Sequence, residues 1–391
     1  MLILFDVDGV LVHSRAYHRG LQQTVAYFSR RMGVGEHYPT QEEIDLFEAH
    51  SITVEWESAA ISTAALLLER LRRAPLDLPV DFWAALDILG AQPLAVPRPD
   101  FGALARRIGA GTPPGTQASR TALRLFGEDL NGGPLTARVQ PVLEQLLGHC
   151  FDVDRAPALQ VVQNFAVGHA LYADAYGLPP HFECAALLAT EDRPLLQPAL
   201  RDRLLAERAA GRLRCGLYTA RPSLPPVEVA ERLRGYTPEA ELALDLVGLP
   251  ASGPERLPVI AFGKLAWAAQ RHGAEAMDLV KPSPVQPLAA MAAARTGAEA
   301  AALDAAVALV RAGELQPALA ACAGETIHVF EDSPGSLRAA TQAAALLAAQ
   351  GVPVTLVRHG VAAPGSPKHT ALSQIADRLH ADINAGLAQI L

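Results

Sequence analysis

The chain begins Met1-Leu-Ile-Leu-Phe5-Asp6-Val7-Asp8-Gly9, a continuous apolar run that ends in two carboxylates and a glycine. A short run of this kind predicts a strand buried on both faces, as in a parallel sheet. In open α/β sheets, ligands bind beyond the carboxyl ends of the strands, where Asp6 and Asp8 would lie. Two carboxylates at this spacing can share a cation or divide nucleophilic and acid–base roles. A solvated acidic turn at the end of a strand is the alternative.

Later apolar runs extend the same pattern. Four of them predict further strands: Leu213–Thr219, Leu257–Phe262, Thr326–Phe330 and Val352–Val357. Segments with helical apolar spacing separate them: Glu228–Arg234, Leu265–Arg271, Val285–Arg295 and Leu337–Ala349. Strands that alternate with helices indicate an α/β fold with a Rossmann-like parallel sheet.

A long block with little strand character follows the first strand. Its apolar spacing predicts five helices: Tyr17–Arg31, Ser58–Arg73, Phe82–Leu89, Val139–Leu147 and Ala156–Tyr172. The Pro- and Gly-rich stretch Pro93–Pro114 predicts a long loop. We therefore predict a discontinuous α/β core of residues 1–14 and 211–391, and an inserted, mostly helical domain of residues 15–210. The Ala-rich stretch Gly297–Gly324 predicts a second, smaller helical insertion.

Composition narrows the functional classes. Hydrophobic residues make up 50% of the 391 residues and charged residues 19%, which argues against a disordered chain. The 33 Lys and Arg against 41 Asp and Glu give a net charge of −8, which argues against nucleic acid as a partner. Four dispersed cysteines predict free thiols, and neither a signal peptide nor a bilayer-spanning run is evident. We expect a cytoplasmic protein with no membrane partner and make no prediction of its oligomeric state.

Three further motifs follow the first one along the chain. Thr219 ends the second predicted strand, Lys281 stands in Val280-Lys-Pro-Ser-Pro284 before a predicted helix, and Glu331-Asp332 follow the strand at Thr326–Phe330. A hydroxyl, an ammonium and two carboxylates at these places suit an anionic ligand and a cation. Helix caps or exposed side chains are the alternative for each motif alone.

Lysine is scarce, since Lys264, Lys281 and Lys368 are the only three in the sequence. Lys264 also lies between a predicted strand and a predicted helix. It is therefore a rival to Lys281 for the role of the cationic residue.

In this order the motifs resemble those of the haloacid-dehalogenase-like (HAD) hydrolase superfamily, with Asp6/Asp8, Thr219, Lys281 and Glu331/Asp332 as its four motifs. The resemblance covers the α/β core and implies that the inserted block is a cap domain. Val280 stands where the family often has glycine, and the spacing from Lys281 to Glu331 is longer than usual. The insert is also longer than the usual small helical cap, so no specificity residue carries over.

The resemblance implies a Mg²⁺-dependent phosphomonoester hydrolase that acts on a small phosphorylated metabolite. Asp6 would attack phosphorus and form an aspartyl-phosphate, and Asp8 would exchange protons with the leaving oxygen and the attacking water. Lys281 and Thr219 would bind the phosphate oxygens. Asp6, the Asp8 carbonyl and Asp332 would hold Mg²⁺, with Glu331 reaching it through water.

Other readings stay open. Family members that cleave carbon–halogen bonds lack the second acid, so Asp8 favours phosphoryl transfer. A phosphomutase or a phosphonate-cleaving relative fits the same motifs, although the insert contains no lysine for the Schiff base of the latter. A non-catalytic protein that binds a partner through its insert is the third hypothesis. His18 is expected to be an ordinary surface or core histidine, and Arg221 a helix cap, with roles at the hinge and the phosphate as their alternatives.

Overall fold

The computed structural model describes residues 1–113, 116–130, 133–230 and 233–391, which form two compact units. Met1–Ser14 and Asp192–Leu391 form one unit, called here the sheet unit. Arg15–Glu191 form the other, called here the helical unit. The division after the insert therefore falls at Asp192, whereas the sequence placed it at residue 211.

The strands of the sheet unit are β1 (Leu2–Phe5), β2 (Val12–His13), β3 (Arg193–Pro194), β4 (Arg214–Tyr218), β5 (Val259–Ile260), β6 (Thr326–Glu331), β7 (Thr355–Val361) and β8 (Arg378–His380). Six of them form a sheet in the order β5-β4-β1-β6-β7-β8, and every neighbouring pair is parallel. β2 and β3 form a separate antiparallel pair. The predicted α/β class with a Rossmann-like parallel sheet is confirmed.

Strand β1 lies at the centre of this sheet. Its four side chains have no solvent exposure, because Leu2 and Leu4 enter one apolar core and Ile3 and Phe5 enter another on the opposite face. Burial on both faces explains the continuous apolar run. Phe5 pairs with Leu217 of β4 and Phe330 of β6, so the carboxyl ends of the three strands lie level.

Helices make up most of the helical unit. They are α1 (Ala16–Arg31), α2 (Gln41–Ala49), α3 (Glu55–Arg73), α4 (Phe82–Gly90), α5 (Phe101–Gly111), α6 (Ala118–Asp129), α7 (Pro134–Leu147), α8 (Pro157–Val167), α9 (His169–Tyr176) and α10 (Leu187–Thr190). The predicted helix Ala156–Tyr172 is two helices, because Gly168 with φ +78° interrupts it. The mostly helical character of this segment agrees with the prediction.

The predicted loop Pro93–Pro114 was wrong in part, since it contains α5. The Asp100 side chain caps this helix by accepting a hydrogen bond from the Ala103 N–H at 2.7 Å. The prolines of this stretch are typical of a loop, but the cap begins a helix within it. Pro114 itself lies outside the described residues.

The sheet unit contributes further helices. They are α11 (Pro198–Ala209), α12 (Glu239–Val247), α13 (Phe262–His272), α14 (Val285–Thr296), α15 (Glu299–Ala312), α16 (Pro317–Ala320), α17 (Pro334–Ala349), α18 (Pro367–Leu372) and α19 (Ile383–Leu387), with a 3₁₀ turn at Ala276–Leu279. Leu204 of α11 lies in the same core as Phe5, which explains why residues 192–210 belong to this unit. Helix α15, in the predicted second insertion, shares a core with α14.

Two further predictions differ from the structure. Residues 228–230, 233 and 234 are not helical, while residues 231 and 232 lie outside the described part of the chain. Strand β7 begins at Thr355, after the predicted Val352, because Pro353 has no N–H to donate to a neighbouring strand. Among the described residues, no helix is both long and apolar enough to cross a bilayer.

Candidate active site

Three carboxylates meet at the carboxyl edge of the sheet. Asp6 follows β1, while Glu331 ends the neighbouring strand β6 and Asp332 follows it. One oxygen of each carboxylate lies within 4.8 Å of the other two. The Asp6 N–H donates to the Phe330 carbonyl at 3.0 Å, which continues the parallel ladder and brings the two acidic motifs together.

A lysine lies among these acids. The Lys281 Nζ is 2.6 Å from Asp6 Oδ2 and 3.1 Å from Glu331 Oε1. Burial alone would lower the pKa of this ammonium, but the charges of Asp6 and Glu331 outweigh burial and raise it. Lys281 is therefore a permanent cation at neutral pH. It also lies 4.9 Å from the centre of the Tyr218 ring.

Gln286 of α14 places Lys281 relative to the sheet. Its Oε1 accepts from the Lys281 N–H at 3.1 Å, and its Nε2 donates to the carbonyl of Thr219 at 2.8 Å. One buried amide thus ties the lysine segment to the end of β4. The rival Lys264 lies elsewhere in the unit, with its Nζ 2.9 Å from Glu299 Oε1.

The three carboxylates of the cluster have the charge and the oxygen atoms that would suit a cation. Burial and the charge of Asp6 raise the pKa of Glu331 well above its usual range, and Lys281 offsets this only in part. Burial also raises the pKa of Asp332, opposed by Lys368, whose Nζ is 2.5 Å from Asp332 Oδ2. Glu331 Oε2 is buried without a hydrogen-bond partner among the described residues. An oxygen-rich cluster with an unsatisfied buried acceptor fits a hard divalent cation such as Mg²⁺.

Gly9 is required by the close approach of Asp332. A Cβ added at Gly9 would lie 2.3 Å from Asp332 Oδ2. The residue also has φ +72°, a conformation that favours glycine. The glycine of the first motif therefore makes room for an acid of the fourth.

Asp8 lies apart from the three carboxylates and bonds to other groups. Arg221 Nε lies 2.9 Å from its Oδ1, Arg221 Nη2 lies 2.6 Å from the same oxygen, and the Ser14 hydroxyl also donates to it. Thr219 Oγ1 is 3.4 Å from Asp8 Oδ2. Burial would raise the pKa of Asp8, but the charge and hydrogen bonds of Arg221 lower it overall. The side chain of Asp8 is 37% exposed.

Sequence reasoning gave no role to three residues around this site and expected a different one for Arg221. Arg221 does not cap a helix as expected; its guanidinium binds Asp8 and Asp192. Ser14, Asp192 and Lys368 carried no motif, although the scarcity of lysine could have drawn attention to Lys368.

His18, which the sequence analysis weighed as a hinge residue, lies in the helical unit. Its imidazole is hydrogen-bonded to Glu48 at 2.8 Å and to Gln41 at 2.9 Å. These bonds fit the expectation of an ordinary histidine and give no sign of a catalytic role.

Comparisons with known proteins bear on the fold. No protein-family model and no curated protein matches the chain. The solved structure of the Northeast Structural Genomics Consortium target ZR25 is 14% identical, with a TM-score of 0.64 over 99% of this chain and 97% of its own. Phosphatase Tt82 from Thermococcus thioreducens is 15% identical over 100% of this chain and 98% of its own, with a TM-score of 0.47. A hydrolase from Pseudomonas syringae is 12% identical over 99% and 96%, with a TM-score of 0.32.

The likeness to target ZR25 shows a shared fold, whereas TM-scores below 0.5 do not establish one. The sheet, with the four motifs at its carboxyl edge, has the architecture that the resemblance to HAD-like hydrolases implies. The resemblance therefore holds at the level of the fold.

Proposed function

We propose that the protein is a Mg²⁺-dependent phosphomonoester hydrolase of the HAD type, acting on a small phosphorylated metabolite through an aspartyl-phosphate. The observation that carries this proposal is the convergence of Asp6, Glu331 and Asp332 around Lys281 at the carboxyl edge of the sheet. A carboxylate nucleophile beside a cation site and a fixed ammonium suits attack on a negatively charged phosphate.

The two aspartates of the first motif divide the chemistry. Asp6 attacks phosphorus and forms a P–O bond, while the bond to the leaving oxygen breaks. Asp8, ionised beside Arg221, takes the acidic proton of the phosphate monoester monoanion and passes it to this oxygen. Water then attacks the aspartyl-phosphate, Asp8 accepts its proton, and inorganic phosphate leaves with Asp6 restored. Splitting the hydrolysis into two displacements lowers each barrier.

Charge neutralisation falls to the remaining residues. Lys281, held by Gln286, offsets the charge of Asp6 and binds a phosphate oxygen. The hydroxyl of Thr219 donates a hydrogen bond to another. Asp6, Asp332 and the carbonyl of Asp8 would hold Mg²⁺ directly, and Glu331 would reach it through a water molecule. When bound, the ion offsets the repulsion between carboxylate and phosphate.

The helical unit is proposed to be the cap that selects the substrate. A cap excludes water and bulky esters from the site and opens for exchange. Specificity would then reside in residues 15–191, while the chemistry resides in the sheet unit.

The direct test is the hydrolysis of 4-nitrophenyl phosphate with and without Mg²⁺. We expect Asp6→Asn to abolish turnover, since an amide oxygen is a far weaker nucleophile than a carboxylate. Asp377→Asn is the matched control, because Asp377 pairs with Arg358 and not with the cluster. Equal turnover in Asp6→Asn, or in the presence of a chelator, would contradict the proposal.

Two other outcomes would favour the alternative functions. Isomerisation of a sugar phosphate without release of phosphate would indicate a phosphomutase. Failure to act on any member of a broad panel of phosphate esters would indicate a non-catalytic protein.

A further inference from the structure

Arg221 connects two carboxylates that belong to distant parts of the chain. Its Nε lies 2.9 and 3.1 Å from the two oxygens of Asp8, and its Nη2 lies 2.6 Å from Asp8 Oδ1. The same Nη2 lies 2.9 Å from Asp192 Oδ2. Arg221 is 3% exposed and Asp192 is fully buried. The guanidinium is thus fixed between a buried anchor and a partly exposed carboxylate.

We propose that Arg221 is a positioning residue for Asp8, and that Asp192 is the anchor that keeps Arg221 in place. The inference rests on the proposed function, in which Asp8 transfers the proton of the leaving group. It adds two residues that none of the four motifs contains.

The geometry explains why an arginine is needed. A planar guanidinium that contacts both oxygens fixes the rotation of a carboxylate as well as its position, which a lysine ammonium cannot do. The Asp8 side chain is 37% exposed, so packing alone does not hold it. Small misplacements of a catalytic group cost much of its effect, because proton transfer depends on distance and angle.

Arg221 needs Asp192 because its guanidinium is buried. A buried guanidinium needs compensating charge, and removal of one partner of a buried pair leaves the other partner uncompensated. Asp192 Oδ2 contacts the same Nη2 that contacts Asp8 Oδ1, so the buried carboxylate supplies compensating charge at the nitrogen that faces Asp8. Ser14 adds a second support, since its hydroxyl donates to Asp8 and lies 3.0 Å from Arg221 Nη2.

A pair of substrates distinguishes positioning from general structural support. 4-Nitrophenolate leaves readily without a proton, whereas the alkoxide of 4-nitrobenzyl alcohol requires one. Loss of a positioned proton donor should therefore slow 4-nitrobenzyl phosphate much more than 4-nitrophenyl phosphate. Damage to the fold or to the phosphate site would slow both substrates equally.

The experiment measures kcat/KM for both esters by phosphate release, in wild type, Arg221→Gln, Arg221→Lys and Asp192→Asn, because kcat/KM reports the step in which the leaving group departs. In Arg221→Gln we expect the ratio of the two kcat/KM values to shift about 100-fold against 4-nitrobenzyl phosphate, the low end of what a positioned acid contributes. Asp192→Asn should shift it in the same direction by about tenfold. Arg221→Lys should fall between Arg221→Gln and wild type.

Arg256→Gln is the matched control, since Arg256 Nη1 lies 3.5 Å from the buried Glu299 and contacts none of the catalytic residues. It should lower the thermal midpoint without moving the ratio. An unchanged ratio in Arg221→Gln and Asp192→Asn would overturn the inference while leaving the hydrolase assignment intact. Should Arg221→Gln fail to fold, the ratio in Asp192→Asn decides. A wild type that hydrolyses neither ester would instead overturn the proposed function and this inference with it.

Discussion

Gly9 and Gly211 have the same backbone φ of +72° but different surroundings, which makes them a matched pair. A Cβ at Gly9 would collide with Asp332, whereas a Cβ at Gly211 would meet nothing within 4 Å. We expect Gly9→Ala to lose about 1–2 kcal/mol of unfolding free energy, because alanine is strained at this φ, and also to displace Asp332. Urea unfolding and calorimetric titration with Mg²⁺ measure the two effects separately.

Gly211→Ala is the control for that substitution. It should lose a similar free energy of unfolding and keep the Mg²⁺ affinity of the wild type. Equal Mg²⁺ affinity in both variants would show that Asp332 takes no part in holding the ion.

Lys368 is paired with Asp332 and would compete with the proposed Mg²⁺ for this carboxylate. Its Nζ lies 2.5 Å from Asp332 Oδ2, although the lysine side chain is 64% exposed. We expect Lys368→Met to raise the Mg²⁺ affinity about two- to fivefold, since an exposed ion pair is worth at most about 1 kcal/mol. Calorimetry on the protein without substrate measures this, with Arg358→Met as the control that removes a cation paired to Asp377 instead. A weaker Mg²⁺ affinity in Lys368→Met would mean that the lysine supports the site.

At the scale of elements, three histidines connect β6, β7 and β8. His328 Nδ1 is 2.9 Å from His359 Nε2, and His359 Nδ1 is 2.9 Å from His380 Nε2. Burial and the two neighbouring imidazoles lower the pKa of His359 to about 3. Such a group binds fewer protons folded than unfolded between pH 3 and 6.5, so stability rises with pH across that range.

The variant His359→Gln tests this effect, because an amide can donate and accept but does not titrate in this range. The wild type should lose about 2 kcal/mol more of its unfolding free energy than this variant between pH 7 and pH 5. Urea unfolding at the two pH values gives the difference directly. Parallel losses in both proteins would show that His359 is not the group that responds.

The strands that could be predicted from the sequence are those buried on both faces of the sheet. β1, β4 and β6 lie between two apolar cores, so each is a mostly apolar run that can be recognised in the sequence. The two-residue strands β2 and β3 are too short to show a period. Strand β8 is the polar stretch Arg378-Leu-His380 at the sheet edge, so no apolar run marks it.

In the candidate site too, some contacts could be predicted from the sequence and others could not. Asp6 and Glu331 could be predicted to meet because parallel neighbours bring their carboxyl ends to one edge. The contact of Arg221 with Asp192 could not, since the side chains come from segments with no shared pattern. Long-range pairs of charged side chains depend on tertiary packing that periodicity does not encode.

At the scale of the whole molecule, the chain crosses between the two units twice, after Ser14 and before Asp192. His13 of β2 pairs with Arg193 of β3, and Val12 pairs with Pro194, so the chain leaves and re-enters the sheet unit through adjacent strands. The helical unit has an apolar core of its own, formed within residues 15–191. A short turn could therefore join Ser14 to Asp192 as it joins the strands of a hairpin.

We expect a chain in which a Gly-Ser turn replaces residues 15–191 to fold. Among the residues that the structure describes, the two apolar cores of the sheet unit are formed by that unit alone. Mg²⁺ binding should persist, since Asp6, Glu331 and Asp332 all remain. Hydrolysis of 4-nitrophenyl phosphate should persist at a reduced rate, while discrimination among phosphorylated metabolites disappears with the proposed cap. A metabolite panel run beside the full chain measures this. Unchanged discrimination in the shortened chain would place the specificity residues in the sheet unit and remove the reason to regard the helical unit as a cap.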